Sequence, residues 1–363
     1  MENKIFLKES YFTNDETLLV SFGNLSASLF TYSTGVKAVR LKNDKGSIVA
    51  LPYMGQMIWR AEFNGYEMTM KTIYDEPYPA KDVFHETYGG FLMHCGLTAM
   101  GNPTAEDTHT PHGELPICKY NNPYVIFGCD ESGRYIGISG TYTHKRCYDT
   151  NYDFTPAVKI YEGKTYMDIT AEVKNNKDIP LEYYYLCHIN HRPVDGARLS
   201  YTADRKSIKV NHEVPDGYFS SEDAKATNDY LAMLDKNPAV MDEVGAVGQS
   251  YRPEIVFLCN YKADECGNAY TMQINPDKTA TFVRHKPAEL PCGVRWISRT
   301  EDEDAMGMVL PATAEHKGRL YCQRNNEQSY LKRGESVTYH MRTGLLSAEE
   351  AEEMDKKIKS MGF

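Results

Sequence analysis

The chain has 363 residues, enough for a large core in one or more domains. Its net charge of −10 comes from acidic and basic residues interleaved along the sequence, so we expect no nucleic-acid partner. The charged N-terminus and the lack of a long apolar run predict neither a signal peptide nor a membrane span, and nine cysteines without a CxxC pair indicate reduced thiols, so we predict a cytoplasmic protein.

Residues 2–88 contain short runs of β-branched and aromatic residues separated by turn signals, which predicts an antiparallel meander. Its last hairpin, MIWRAEFNGYEMTM, turns at Asn64-Gly65. Strict alternation along this strand would place Arg60 on the face opposite Trp59. Arg60 is either a surface group there or a ligand contact.

Residues 89–120, GGFLMHCGLTAMGNPTAEDTHTPHGELPICKY, concentrate groups that can move protons or bind a ligand. Three of the eleven histidines lie here, His94, His109 and His112, and Glu114 follows closely. The glycines and proline predict a strand, a loop and a short extended piece. On an extended piece His112 and Glu114 would share one side.

A second strand-rich region ends in LEYYYLCHINHRP. Alternation along its final strand predicts that His188 and Asn190 share a face, while His191 lies on the other. The polar residues 216–250 predict short helices and loops, as an insertion or lid. Strands then resume to residue 346, and residues 347–363 predict a covering C-terminal helix with Ser347 as N-cap and Glu350 at the capping-box position. We therefore predict an all-β fold with one domain over residues 1–346.

The histidine pattern permits two kinds of chemistry. His109 with His112 and His188 with His191 form His-x-x-His pairs, but in strands residues three apart face opposite sides, so a metal would need ligands from several strands. The alternative is acid–base catalysis by neutral histidines beside a carboxylate. The other histidines are assigned structural roles: His85, His144, His212, His285, His316 and His340. No nucleotide-binding or nucleophile-elbow motif precedes a strand–helix unit, and 27 tyrosines suit a sugar-binding surface as well as a β core.

Several motifs resemble one family when taken in order. VKNNKDIPLEYYYLCHINHRP resembles the catalytic-histidine strand of aldose 1-epimerases, the galactose mutarotases. LMHCGLTAMGNP, PHGELP, GQMIWRAEFNG and MGMVLPATAEHKGR resemble the related family DUF4432 over roughly residues 50–345. The resemblance implies a galactose-mutarotase-like β-supersandwich with a sugar site on its concave face and a few short helices.

The resemblance also implies roles for individual residues. His188 matches the catalytic histidine and is expected to be the general acid, and His112 matches the histidine of the "HG" pair. Mutarotases carry a late glutamate base where this chain has Leu310, so Glu114 is the expected substitute. The sugar pocket is then expected to be lined by Arg60, His94, His109, Asn190, His191 and Trp296.

Three functions remain open on the sequence. The first is interconversion of sugar anomers, or a related epimerisation or isomerisation, by histidine and glutamate without a cofactor. The second is a metal-dependent sugar isomerase or epimerase, with ligands among His94, His109, His112, Glu114 and His188. The third is a protein that binds carbohydrate without turnover. In each case the expected partner is a small sugar rather than a nucleic acid or membrane, and the sequence sets no oligomeric state.

Overall fold

A computed structural model describes residues 2–212 and 220–362. The described chain is built almost entirely of antiparallel strands. In chain order the first twelve strands are β1 (Asn3–Phe6), β2 (Thr17–Phe22), β3 (Leu25–Thr31), β4 (Lys37–Lys42), β5 (Gly46–Ala50), β6 (Ile58–Phe63), β7 (Tyr66–Glu67), β8 (Leu92–Leu97), β9 (Tyr124–Asp130), β10 (Gly133–Ser139), β11 (Tyr142–Lys145) and β12 (Asn151–Tyr161). The others are β13 (Tyr166–Asn175), β14 (Leu181–Ile189), β15 (Arg198–Tyr201), β16 (Lys209–Val210), β17 (Ile255–Cys259), β18 (Ala269–Ile274), β19 (Ala280–His285), β20 (Cys292–Arg299), β21 (Asp304–Ala312), β22 (Ser329–Leu331) and β23 (Ser336–Leu346).

These strands form two large sheets. The smaller has ten strands in the order β1-β9-β10-β12-β13-β23-β19-β18-β15, with β11 beside β12. The larger has thirteen in the order β16-β17-β20-β21-β14-β8-β6-β5-β4-β3-β2, with β22 beside β14 and β7 beside β6. The predicted all-β, mutarotase-like sandwich is thereby confirmed.

Local sequence signals explain the N-terminal part of the larger sheet. β2 to β6 pair in order as a meander, as predicted. Asn64 and Gly65 have φ of +50° and +76°, which a two-residue hairpin turn requires at both central positions. Asparagine and glycine tolerate this left-handed conformation better than other residues do.

The two sheets enclose the main hydrophobic core. Within it Tyr185 of β14 stacks on Tyr339 of β23, with ring centroids 5.2 Å apart. A second apolar cluster, which includes Trp59, Leu186 and Trp296, covers the opposite face of the larger sheet. We call this face, with the loops that cover it, the outer face.

The segment predicted as an insertion or lid sends a few side chains into the core. Residues 216–219 lie outside the described residues. The helix α1 (Ser221–Lys236) follows, and its Tyr230 and Leu234 are fully buried in the inter-sheet core. Asp242, in the short helical turn after α1, accepts a hydrogen bond from Tyr201 of β15 at 2.8 Å. The described part of this segment therefore closes one end of the sandwich.

Two further helices complete the structure, α2 (Arg319–Arg324) and α3 (Ala348–Ser360). The predicted capping box at the start of α3 is confirmed, because Ser347 and Glu350 bond reciprocally. The helix covers the outside of the smaller sheet, where Ile358 joins a small apolar cluster with Phe282. No helix of the described residues has the length and apolar character needed to cross a bilayer.

Candidate active site

Side chains alternate between the two faces along β14, which places candidate functional groups on the outer face. Tyr185 and Cys187 point into the inter-sheet core, whereas Leu186 belongs to the outer-face cluster. His188 lies on the same side as Leu186 and is 5% exposed. The prediction that His188 and Asn190 share a face is confirmed, since their side chains are hydrogen-bonded.

The contact with Asn190 fixes the state of His188. The Nδ1 atom lies 2.7 Å from Asn190 Oδ1, and the Asn190 amide nitrogen donates to the Gly90 carbonyl oxygen at 2.9 Å. Because the amide oxygen can only accept, the neutral His188 ring carries its proton on Nδ1. Its Nε2 is then an acceptor. Burial lowers the pKa of His188 to about 4, so the ring is neutral near pH 7.

Two aromatic rings flank His188. The Trp296 ring of β20 lies 5.4 Å from the imidazole, and the Tyr88 ring lies 6.1 Å from it on another side. The Tyr88 hydroxyl lies 3.4 Å from Asn190 Oδ1. Flat rings beside hydrogen-bonding groups can cover the C–H faces of a sugar while polar atoms bind its hydroxyls.

A carboxylate lies next to these rings that the sequence analysis did not single out. The Trp296 indole N–H donates to Glu254 Oε2 at 2.6 Å. Burial raises the pKa of Glu254, even though this hydrogen bond favours the charged form. Glu254 immediately precedes β17, the strand that pairs with the Trp296 strand, β20. The negative charge of Glu254 also contributes to raising the pKa of Tyr88.

His112 reaches the site by a route that differs from the predicted one. The expected extended piece is wrong, because His112 and Gly113 have φ of +60° and +74° and a short helical turn begins at Leu115. This tight turn holds the His112 ring 5.4 Å from the His188 ring, nearly perpendicular to it. Burial and the neighbouring histidines keep the pKa of His112 well below its ordinary value.

The same turn directs Glu114 elsewhere. Its carboxylate accepts hydrogen bonds from the Thr98 backbone N–H at 3.1 Å and the Thr98 hydroxyl at 2.8 Å. It also accepts one from the Tyr152 hydroxyl, which belongs to the smaller sheet. The expectation that Glu114 shares a side with His112 is wrong, since three donors hold it towards the space between the sheets.

The family profile DUF4432, a domain of unknown function, matches residues 33–345. This chain belongs to the DUF4432 family. No curated protein matches it.

Solved structures show how widely the fold of this DUF4432 protein is shared. A candidate aldose 1-epimerase from Klebsiella pneumoniae is 17% identical, with a TM-score of 0.80 over 100% of this chain and 96% of that one. A galactose mutarotase-like protein from Clostridium acetobutylicum is 13% identical, with a TM-score of 0.57 over 89% and 99%. A galactose mutarotase related enzyme from Lactobacillus acidophilus is 9% identical, with a TM-score of 0.52 over 86% and 98%. Identities this low establish the fold alone.

Within the DUF4432 chain, Arg60 lies on the same side as Trp59, contrary to the prediction. A register shift in the β5–β6 pair inserts one extra residue, so both side chains face outward. The Arg60 guanidinium lies 4.7 Å from the Trp59 ring and donates to the backbone carbonyls of Trp59, Gly89 and Tyr74. Arg60 thus ties the loop that carries Tyr88 to the sheet.

Three predicted pocket residues of the DUF4432 chain lie away from His188. His94 bonds Tyr185 in the core, and His191 bonds Thr343 of the smaller sheet. Both are fully buried, which lowers the pKa of each to about 3. His109 lies beside α2, where its Nε2 accepts from the Arg319 N–H at 3.4 Å.

Two histidines assigned structural roles lie near the site instead. His316 is one of the groups that lower the pKa values of His112 and His188, and burial lowers its own pKa to about 4. His85 stacks on Phe84, whose ring lies 5.3 Å from His112. His316 lies in the stretch MGMVLPATAEHKGR, whose resemblance to DUF4432 did not single out this histidine. Tyr88 was also missed, and its only sequence signal is its place immediately before Gly89-Gly90.

The proposed metal ligands of the DUF4432 chain are dispersed. His94 is in the core, His109 is at α2, and Glu114 is bound by Thr98 and Tyr152. Among residues 2–212 and 220–362, no group of three histidine, cysteine, aspartate or glutamate side chains is arranged to hold a metal ion.

The position where mutarotases carry their late glutamate is apolar here. Leu310 of β21 is buried in the outer-face cluster and lies over Gly307, which pairs with Trp296. A Cβ at position 307 would lie 2.4 Å from a Leu310 methyl carbon, so glycine makes room for the leucine. The carboxylate beside the Trp296 ring is instead Glu254, which immediately precedes β17.

Proposed function

We propose that this protein interconverts the anomers of a sugar on the outer face of its larger sheet, with His188 and Glu254 as the acid–base pair. The observation that carries this proposal is that both groups contact the side chain of Trp296, and that their pKa values are shifted in opposite directions. Burial disfavours the charged form of each, so a neutral imidazole and a protonated carboxyl are favoured together. Such pairs identify the base and the acid of a site.

The proton positions define the proposed steps. His188 Nε2 takes the proton of the anomeric hydroxyl, and its O–H bond electrons form the C1=O double bond. The C1–O5 bond breaks, and the Glu254 carboxyl gives its proton to O5. After rotation about C1–C2 the aldehyde recloses by the reverse transfers, which return both protons. This assignment reverses the roles that the family resemblance implies. The bond to Asn190 keeps the ring proton on Nδ1, so His188 Nε2 has a lone pair and accepts a proton.

The remaining groups bind and orient the sugar in this proposal. Trp296 and Tyr88 cover C–H faces, and the Trp296 indole N–H holds the Glu254 carboxyl in place. His112 binds a hydroxyl from the side opposite the sheet. A metal is not required for these transfers, since each proton has a donor and an acceptor among the named side chains.

The test is exchange NMR or polarimetry on a broad panel of aldoses with the wild type, His188→Gln, Glu254→Gln and a control, Glu265→Gln. Glu265 is an exposed residue of the loop between β17 and β18. We expect each site variant to lower kcat at least about 100-fold, since general acid–base groups contribute about 10²–10⁴-fold. The control should match the wild type. Wild-type rates equal to the uncatalysed ones for every sugar would reject anomer interconversion, and calorimetric sugar binding without turnover would leave a carbohydrate-binding protein.

The pH profile provides an independent check. The proposed active form has neutral His188 and protonated Glu254. Its population falls below pH about 4, where His188 gains a proton, and falls again as the pH rises through the raised pKa of Glu254. We therefore expect kcat/KM to decrease on the alkaline side, and Glu254→Gln to remove that decrease from the residual rate. A kcat/KM that rises continuously from pH 5 to 8 would contradict the assignment of acid and base.

A further inference from the structure

A cavity of about 420 Å³ lies along β17 and β20, the strand pair that also carries Trp296. This volume falls within the range of about 300–1,000 Å³ that is typical of small-molecule sites. Leu258, Cys292 and Ala314 supply an apolar surface, and all three are side chains of the outer-face cluster or packed against it. Cys259 and Pro291 also line it, and the polar part of the lining includes Ser207, Lys209, Asn260, Glu315, Asn326 and Glu327.

The cavity and the proposed site share structural elements. Cys292 and Trp296 lie four residues apart on β20, which corresponds to about 13 Å along a strand. Leu258 of β17 lines the cavity four residues after Glu254, so the cavity and the proposed site lie along the same pair of strands. One sugar ring does not fill both places, whereas two linked rings can.

The polar wall suits neutral hydroxyl groups. The asparagine amides offer donors and acceptors, and the carboxylates of Glu315 and Glu327 offer acceptors for pairs of hydroxyls. Among the lining residues Lys209 is the only cation against these two carboxylates, so an anionic ligand would be repelled. Burial raises the pKa of Glu327, which shows that its carboxyl is partly withdrawn from water.

This wall is also held in place before any ligand binds. The Glu315 backbone N–H donates to Glu327 Oε2 at 2.9 Å, and the Glu327 N–H donates to the Cys322 carbonyl at the end of α2. Asn326 has φ of +58°, a left-handed conformation that asparagine tolerates. A rigid set of mixed polar groups next to an apolar surface lowers the entropic cost of binding a polyol.

We propose that this cavity is a second carbohydrate subsite, and that the preferred substrate is a reducing disaccharide or longer oligosaccharide. The reducing-end ring would lie at His188 and Glu254, where its anomeric centre reacts, and the preceding ring would lie in the cavity. This placement rests on the proposed function, because only a reducing end has a free anomeric hydroxyl. The cavity itself can be tested by binding alone.

The experiment uses Asn260→Trp to fill the cavity and Lys262→Trp as the matched control. Asn260 lines the cavity and is exposed, so its replacement does not disturb the core. Lys262 is an exposed residue of the same loop and does not line the cavity. Binding of reducing disaccharides that end in glucose, galactose or mannose is measured by calorimetry and saturation-transfer NMR, each against its reducing-end monosaccharide. Anomer exchange of the same sugars is followed by exchange NMR.

We expect the wild type to bind at least one disaccharide at least tenfold more tightly than the matching monosaccharide. Asn260→Trp should reduce this ratio to below threefold, and Lys262→Trp should preserve it. A wild-type ratio near one for every pair, or an unchanged ratio in Asn260→Trp, overturns the subsite. Disaccharide binding that depends on Asn260 without turnover of any sugar supports the subsite and refutes the catalytic proposal, so the two failures are distinct.

Discussion

Replacing His285 with phenylalanine should make the protein less sensitive to acid. His285 ends β19, is 1% exposed, and neither ring nitrogen has a hydrogen-bond partner in the described structure. Its ring lies 5.0 Å from the Tyr261 ring, at a nearly perpendicular angle. Burial lowers the pKa of His285 to about 3, because no group compensates an imidazolium charge there.

The magnitude follows from proton linkage. In the unfolded chain a histidine has a pKa of about 6.5, so below that pH the unfolded state binds a proton that the native state does not. His285 therefore contributes nothing to the pH dependence of stability above about pH 6.5. Below that pH, the free energy of unfolding falls as the pH decreases from 6.5 towards 3. Between pH 7 and pH 5 this single residue costs about 2 kcal/mol, at 1.36 kcal/mol per pH unit.

The assay is urea unfolding of the wild type, His285→Phe and His212→Phe at pH 7 and pH 5. His212 is exposed, which makes its replacement a control for adding a phenyl ring. We expect His285→Phe to lose about 2 kcal/mol less than the wild type between the two pH values. Phenylalanine matches the ring in size and removes two unpaired polar atoms, so the variant should stay folded at pH 7. Equal losses in the wild type and His285→Phe would refute the reasoning.

Three further predictions concern the site. Asn190→Asp places a carboxylate near His188 Nδ1 and should raise the pKa of His188 from about 4 by about 1–3 pH units in an NMR titration, whereas an unchanged pKa would contradict the contact. Gly113→Ala puts a Cβ 2.3 Å from the Ala99 carbonyl oxygen at φ +74° and should cost about 1–3 kcal/mol in urea unfolding; an unchanged midpoint would count against the turn. Arg60→Lys replaces the two terminal nitrogens that reach three carbonyls with a single nitrogen and should lose about 1.5–3 kcal/mol, with faster amide exchange confined to residues 74–90; uniform exchange would contradict the tie.

Alternation and turn chemistry were sufficient to predict much of the fold. The N-terminal meander, the faces of β14 and the capping box of α3 each depend on residues close together in sequence, so local signals define them. The shared face of His188 and Asn190 is of this kind. His191 was placed in the pocket by the sugar-site hypothesis that follows from the resemblance, although alternation put it on the face opposite His188, and it faces the core.

Irregular backbone explains most of the remaining differences. Trp59 is the extra residue in this strand pair and reverses the side of Arg60, and nothing in the local sequence marks it. For His112 a signal was available, since the following Gly113 permits a left-handed turn that an extended piece does not contain. Glu254 was not predictable from the sequence, because it is a single glutamate whose role depends on pairing between β17 and β20.

The two faces of β14 have different roles, and this limits which substitutions the strand can accept. One side of the strand anchors the core through the Tyr185–Tyr339 stack, and the other carries His188. Substitutions in β14 therefore affect both the stability of the fold and the proposed catalysis. Tyr88, His112 and His316 instead come from loops, whose replacement leaves the strand pairing intact. Under the proposed function, new substrate preferences are thus most accessible through loop exchange, with β14 kept as a constant part of the scaffold.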